Sequence, residues 1–310
     1  MTQPSGLALT GAQHDITAGD YHATITELGA GLRRLDHRGR ATIVEYEADE
    51  MPPAGAGQLL APWPNRVDGG RYTFQGVAHQ LDLSEPAAGN AIHGLTRWHN
   101  WRLAAQEASA VELRHVLYGQ PGYPFCLELT ARYELSADEG LEVSVSAANA
   151  GSVAAPYGTG NHPYLTAGTP LVDECELELP AAQWLAADDR GIPVGGPADV
   201  AGSEFDFRAR RAIGDARIDH AFTGLAPDAD GRARARLTGP EAEVEFWAGP
   251  GYGWLQVFTG DALVPERRRR ALAIEPMTCP PNALESGTDL ITLAPGERVT
   301  HHWGIRLRSL

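Results

Sequence analysis

Glycine and proline interrupt this chain so often, 35 and 22 times in 310 residues, that long regular helices have little room to form. The intervals between them are short. Several alternate apolar and polar residues with the two-residue period of a strand buried on one face. His22-Ala-Thr-Ile-Thr, Leu127-Glu-Leu-Thr-Ala-Arg-Tyr-Glu-Leu and Leu141-Glu-Val-Ser-Val-Ser do so, as do Cys175-Glu-Leu-Glu-Leu, Glu243-Val-Glu-Phe-Trp and Thr300-His-His-Trp-Gly-Ile-Arg-Leu. Apolar residues at i, i+3 and i+4 over three turns are hard to find, and no helix alternates with the strands, which argues against a doubly wound α/β sheet. Many short strands with turn signals between them predict an all-β chain, a large antiparallel β-sandwich. No repeat, low-complexity tract or linker divides it. Residues 1–310 are therefore expected to form a single domain, with 119–124 and 193–202 as surface loops.

The formal net charge is −15, and arginine supplies every positive charge because the chain has no lysine. An acidic surface repels nucleic-acid phosphates and anionic lipid, so neither is an expected partner. A neutral small molecule fits this balance best. Cys126, Cys175 and Cys279 lie far apart and form no CxxC pair, which argues against a disulfide framework and a structural zinc site. The N-terminal MTQPSGLALTGAQHD lacks the basic start and apolar core of a signal peptide, and no apolar run is long enough to span a bilayer. A cytoplasmic protein, monomer or homodimer, is the expectation.

Four segments concentrate hydrogen-bonding side chains in apolar, Pro/Gly-rich settings: Leu60-Ala-Pro-Trp-Pro-Asn-Arg-Val, Gly89-Asn-Ala-Ile-His-Gly-Leu, Pro156-Tyr-Gly-Thr-Gly-Asn-His-Pro-Tyr-Leu and Arg270-Ala-Leu-Ala-Ile-Glu-Pro-Met. Such planar polar groups beside aromatic rings suit a sugar, which offers many hydroxyls and a weakly apolar ring face. Taken singly, Asn65-Arg66 also reads as a surface turn, and His93 or His162 as a structural histidine. Glu275 stands out, since a carboxylate ending an Ala-Leu-Ala-Ile run is costly unless it is paired or functional. His162 is a candidate proton donor near neutrality.

Six motifs occur in order: Asn65-Arg66, Ile92-His93-Gly94, Asn161-His162-Pro163-Tyr164, Asp219-His220-Ala221-Phe222, Leu255-Gln256-Val257-Phe258-Thr259-Gly260 and Ile274-Glu275. Their order and rough spacing resemble the aldose 1-epimerase (galactose mutarotase) family over nearly the whole chain, from the Gly29-Ala-Gly-Leu turn to Pro295-Gly-Glu. That resemblance implies a galactose mutarotase-like supersandwich binding a free hexose, glucose or galactose, without cofactor or metal. It further implies Glu275 as catalytic base and His162 as catalytic acid, with Arg66, His93 and Asp219 contacting the sugar and Asn65 and Gln256 in lesser roles. The chemistry required is removal of the O1 proton and protonation of the ring O5, then rotation about C1–C2 and reclosure. Ala-Pro-Trp-Pro before Asn65, Pro163 and Pro276-Met277 depart from the family's common form, and leave the preferred sugar open.

Other features are read as structural. Arg267 to Arg270 suggests a phosphate site and a hexose-6-phosphate epimerase, but a block of like charges before a strand reads first as a solvated loop tip. His301-His302 lies on the last strand, with one imidazole outward. Gly249-Pro-Gly-Tyr-Gly is no complete dinucleotide fingerprint. Of Trp63, Trp98 and Trp101, at least two are expected in the core. A non-catalytic carbohydrate-binding protein would not need both Glu275 and His162. A glycoside hydrolase would need two carboxylates about 5–9.5 Å apart, for which only Glu275 and Asp219 can be nominated.

Overall fold

The structure, a computed structural model, describes residues 6–309; the first five residues of the N-terminal segment read above lie outside it. The alternating segments form strands: Tyr21–Thr26, Leu127–Ser136, Gly140–Asn149, Glu176–Glu178, Ala242–Ala248 and Arg298–Ser309. A nine-stranded and an eight-stranded sheet carry most of the chain, and a four-stranded sheet holds its N-terminal part. All the strand pairings within these sheets are antiparallel. Helix is confined to short turns such as Ala283–Ser286. This is the β-sandwich that the alternation predicts, and among the described residues no helix is long and apolar enough to cross a membrane.

One apolar core joins the sheets. Leu129, Val143, Phe246 and Trp303 enter it from the nine-stranded sheet, Phe222, Leu255, Val257 and Ile274 from the eight-stranded sheet, and Ile25 and Leu35 from the N-terminal sheet. Because strand side chains alternate between faces, Ile274 in the core requires Glu275 to face the other way. Trp63 and Trp101 are core residues, as expected for two of the three tryptophans. Cys175 and Cys279 are buried free thiols.

Two readings are corrected. Glu243 and Glu245 occupy polar positions of an alternating strand, yet both are buried. A layer of arginines covers them: Arg210 pairs with Glu243, and Arg234, Arg236 and Arg308 with Glu245. The guanidinium fork reaches two carboxylates at once, a geometry an ammonium lacks. The Arg267–Arg270 block is a solvated tip only in part: Arg268 and Arg270 are exposed, but Arg267 and Arg269 are not. Arg269 has a side chain only 11 % exposed, paired with Asp173 at 2.7 Å and Asp261 at 2.9 Å. Arg267 pairs with Glu50. Glu50 and Asp173 come from remote segments, 217 and 96 residues away, and local sequence cannot reveal them.

Candidate active site

The eight-stranded sheet presents a row of functional side chains on the face turned away from the core. Ala221 on the strand Asp219–Leu225 stands opposite Gln256 on Trp254–Phe258, and Gln256 opposite Glu275 on Leu272–Met277. On the far side of Glu275, Gly160 pairs with Met277 and Tyr164 with Ala273. His162, midway between them, therefore falls opposite Glu275. The two are cross-strand neighbours, with His162 Nε2 3.3 Å from Glu275 Oε1. Asp219 stands two residues from Ala221 on the same face, and its Oδ1 accepts a hydrogen bond of 2.7 Å from Gln256 Nε2.

Apolar groups flank this row. Tyr164 and Ala273 pack together on one side, and Ala221, Trp254 and Met277 on the other. The His162 ring stacks on Tyr164 with centroids 4.8 Å apart, and its backbone is tied by His162 N to Gln58 O and Gly57 N to His162 O. Glu275 and His162 are 2 % and 4 % exposed, and Glu275 Oε2 has no hydrogen-bond partner among the described residues. Burial acts on both in the direction of the neutral form. It raises Glu275 well above the usual carboxylate range, with Asp219's charge adding and Arg66 opposing. It lowers His162 to about 3, and the nearby Arg97 and Arg66 cations push the same way. Asp219 is open to solvent on the cleft side, but surrounding protein raises its carboxyl against the pull of Arg66.

The second wall comes from the two polar loops. Asn65 and His93 both adopt left-handed backbone, φ 53° and 61°, an uncommon state for residues with a Cβ and one that Asn tolerates best. His93 N donates to Asn65 O at 2.8 Å, so the two turns brace each other. Asn65 Oδ1 accepts from Arg66 N at 2.9 Å; its oxygen supports the loop. The His93 ring meets His162 edge-on with centroids 5.3 Å apart. Burial holds His93 well below its ordinary value, and the charges of His162, Arg97 and Arg66 add to this.

Arg66 is clamped. Its Nε and Nη2 donate to the two oxygens of Glu85 at 2.8 and 2.9 Å, the bidentate fork geometry. Asn90 Nδ2 also donates to Glu85 and to Arg190 O. Arg190 in turn reaches Ala88 O, Asn90 Oδ1 and Asp68. Next to it, Gly191 presses so close that a Cβ there would sit 2.5 Å from Arg66 Nη1.

Together these walls enclose a cleft of about 470 Å³. It brings together all seven sequence-predicted site residues: Asn65, Arg66, His93, His162, Asp219, Gln256 and Glu275. Arg267 and Arg270 do not line it; they border a neighbouring cavity of about 140 Å³ behind Tyr164, Ala54 and Leu263. The sequence reading missed Glu85 and Arg97. Glu85 carries no local sign of its partner 19 residues away. Arg97 was signalled weakly, beside an aromatic candidate shortly after His93. Trp98, 42 % exposed, is the one tryptophan of the three at the cleft.

Known proteins share this fold. The family model for Aldose 1-epimerase matches residues 13–306. The uncharacterized protein YihR of Escherichia coli K12 is 38 % identical over 295 residues, covering 95 % of this chain and 93 % of its own. The aldose 1-epimerase of the same organism is 27 % identical over 212 residues, 64 % of this chain and 58 % of its own. Among solved structures, galactose 1-epimerase from Lactobacillus acidophilus NCFM superposes with a TM-score of 0.82 at 23 % identity, covering 94 % of this chain and 92 % of that one. The GalM/aldose epimerase homologue from C. elegans gives 0.86 at 17 %, covering 96 % and 99 %. With the family match spanning almost the whole chain and the fold shared by these structures, the chain belongs to the aldose 1-epimerase family.

Proposed function

We propose that the chain is an aldose 1-epimerase acting on a free hexose such as glucose or galactose. The observation that supports this most is the Glu275–His162 pair, 3.3 Å apart and buried at the base of the cleft. Ring opening takes the proton from the anomeric O1 hydroxyl to Glu275 and delivers one from His162 to the ring O5. The C5–O5–C1 link opens at C1, leaving an aldehyde at C1 and a hydroxyl at C5. Rotation about C1–C2 and the same transfers in reverse close the ring on the other face. A raised Glu275 makes its carboxylate a stronger base, and a lowered His162 makes its imidazolium a stronger acid. In ring opening the two transfers take the pair from two charges to none, the direction that burial favours, and reclosure restores both charges. The proton count of the pair plus substrate is unchanged over a turnover.

Arg66 and neutral His93 supply donors toward the oxygens on which negative charge develops. Asp219, oriented by Gln256, accepts from sugar hydroxyls. A second reading, a hexose carrying an anionic group such as a 6-phosphate, has one observation in its favour. Arg97 lines the cleft and, among the described residues, has no carboxylate within ion-pair distance, whereas the charge of Arg66 is matched by Glu85. Polarimetry of freshly dissolved α-D-glucose, α-D-galactose and α-D-glucose 6-phosphate separates the readings. Wild type is expected to hasten anomeric equilibration of a neutral hexose, and His162→Ala to leave it at the spontaneous rate. A wild type no faster than the spontaneous rate on every sugar would refute the epimerase reading, and a His162→Ala protein as fast as an active wild type would exclude His162 as the acid; a response confined to the phosphate would select the second.

A further inference from the structure

His162 sits where its strand breaks. Gly160–Asn161 and Tyr164–Leu165 are strands of two residues each, and His162-Pro163 lies between them. Pro163 has no N–H with which to continue a ladder. The backbone bonds of His162 itself run to Gly57 and Gln58, away from the strand that carries Glu275. Its ring is no better tied. A working imidazole is ordinarily oriented by a hydrogen bond on its second nitrogen, yet His162 Nδ1 has no hydrogen-bond partner among the described residues. Contacts with Tyr164 and His93 limit the ring, but they leave open what holds the segment beneath it in register with Glu275.

The neighbouring residue does this. With His162 on the cleft face, strand alternation turns Asn161 into the core, where it is 1 % exposed. Its Oδ1 accepts a hydrogen bond of 2.9 Å from Trp303 Nε1, across 142 residues of sequence. Trp303 is a firm anchor: it stands within the nine-stranded sheet, paired with Val143 on one side and Ala248 on the other, and its ring stacks on Phe246. The bond therefore joins the two large sheets and ends one residue from the acid. Asn161 Nδ2 has no partner among the described residues, so the tie rests on Oδ1 alone. An amide buried there costs more than an apolar side chain of the same size would. Resting on the epimerase reading, we propose that Asn161 is a positioning residue: its bond to Trp303 anchors the interrupted strand and so sets the distance from His162 to Glu275. Without the tie the sugar keeps its contacts, but the acid is free to drift from the ring oxygen.

The test measures kcat and KM for mutarotation of glucose and galactose, beside melting curves, in wild type and three variants. Trp303→Phe keeps an aromatic ring in the core and removes the Nε1 donor. The double variant Trp303→Phe with Asn161→Leu removes both polar partners, and should melt higher than Trp303→Phe because the unpaired Oδ1 is gone. Leu237→Ala opens a cavity in the same sheet, two strands from Trp303, and leaves the tie intact. In both variants that lack the tie, kcat is expected to fall about 10- to 100-fold with KM little changed. Leu237→Ala, assayed well below its melting temperature, should keep the wild-type kcat. An unchanged kcat in Trp303→Phe, a kcat that recovers together with stability in the double variant, or an equal fall in Leu237→Ala overturns the positioning role and leaves the epimerase reading standing. No acceleration of either sugar by wild type refutes both.

Discussion

Replacing Gly191 by alanine tests whether Arg66 works because it is held. Gly191 sits at φ +74°, and a Cβ added there would lie 2.5 Å from Arg66 Nη1 and 2.8 Å from Cζ. Two costs follow. Left-handed backbone on a residue with a Cβ costs about 1–2 kcal/mol, which lowers Tm by about 2–4 °C per kcal/mol in chains of 150–250 residues and by less in larger ones. The steric cost falls on Arg66, whose guanidinium must retreat by roughly 1 Å to restore an ordinary contact distance. Its fork to Glu85 opposes that retreat. A displacement of that size in a positioning group lowers turnover about 100-fold. If Arg66 acts on charge developing during ring opening, the loss appears in kcat, with KM little changed. Initial rates by polarimetry over a range of sugar concentrations, beside a melting curve, separate the two costs. A Gly191→Ala protein that melts lower but keeps the wild-type kcat would refute the argument, because Arg66 would then be either free to adjust or unimportant to the step.

Three further outcomes follow from the same geometry. Glu275→Gln should lower kcat by about 100- to 10,000-fold, the span for loss of a proton-transfer group, with no loss of melting temperature, because it removes a buried carboxylate; a variant keeping most of its rate would exclude Glu275 as base. Glu85→Gln should cost about 10- to 100-fold in kcat/KM, equivalent to a charge-assisted hydrogen bond of about 1.5–3 kcal/mol, and Glu85→Asp should recover part of it; equal losses in both would point to packing in place of the fork. For pH, burial lowers His301 to about 4, with the His302 charge adding, against about 6.5 in the unfolded chain. The unfolded state binds more protons between these values, so this stabilisation is full above about pH 6.5 and is lost as pH falls through 4. Urea unfolding at several pH values should show His301→Gln losing less stability across that window than wild type.

How legible the molecule was depends on how many faces of each strand are wet. Leu127–Ser136, Gly140–Asn149 and Arg298–Ser309 have one face on the core and the other toward polar surroundings, so they alternate visibly. Leu272–Met277 is buried on both faces, and its Ala-Leu-Ala-Ile-Glu-Pro-Met reads as an apolar run with one anomaly. That anomaly was Glu275, so the residue was evident while its strand was obscure. The seven site residues could be named because the six motifs follow the family's order; nothing in their spacing placed His162 opposite Glu275. Glu85 and Gly191 were out of reach for a different reason. Their significance lies in contacts to partners remote in sequence, as when Asn90 bonds to Arg190 across 100 residues. The same remoteness explains Arg267 and Arg269, whose counter-charges include Glu50 and Asp173.

The placement of Glu275 on a strand buried on both faces, while His93 and Arg97 come from turns, has a consequence for how such a protein can diversify. A single inserted residue in Leu272–Met277 would slip the register, turning Glu275 into the core and Ile274 out to the cleft. The proton-transferring half therefore tolerates no change of length. The turns that carry His93 and Arg97 keep no such ladder register, so changes beside them alter which hexose substituents are met at the mouth without moving the carboxylate. Exchanging lining residues that the proton transfers do not use, such as Met51 and Trp98, is then a route to new sugar preference on an unaltered reaction.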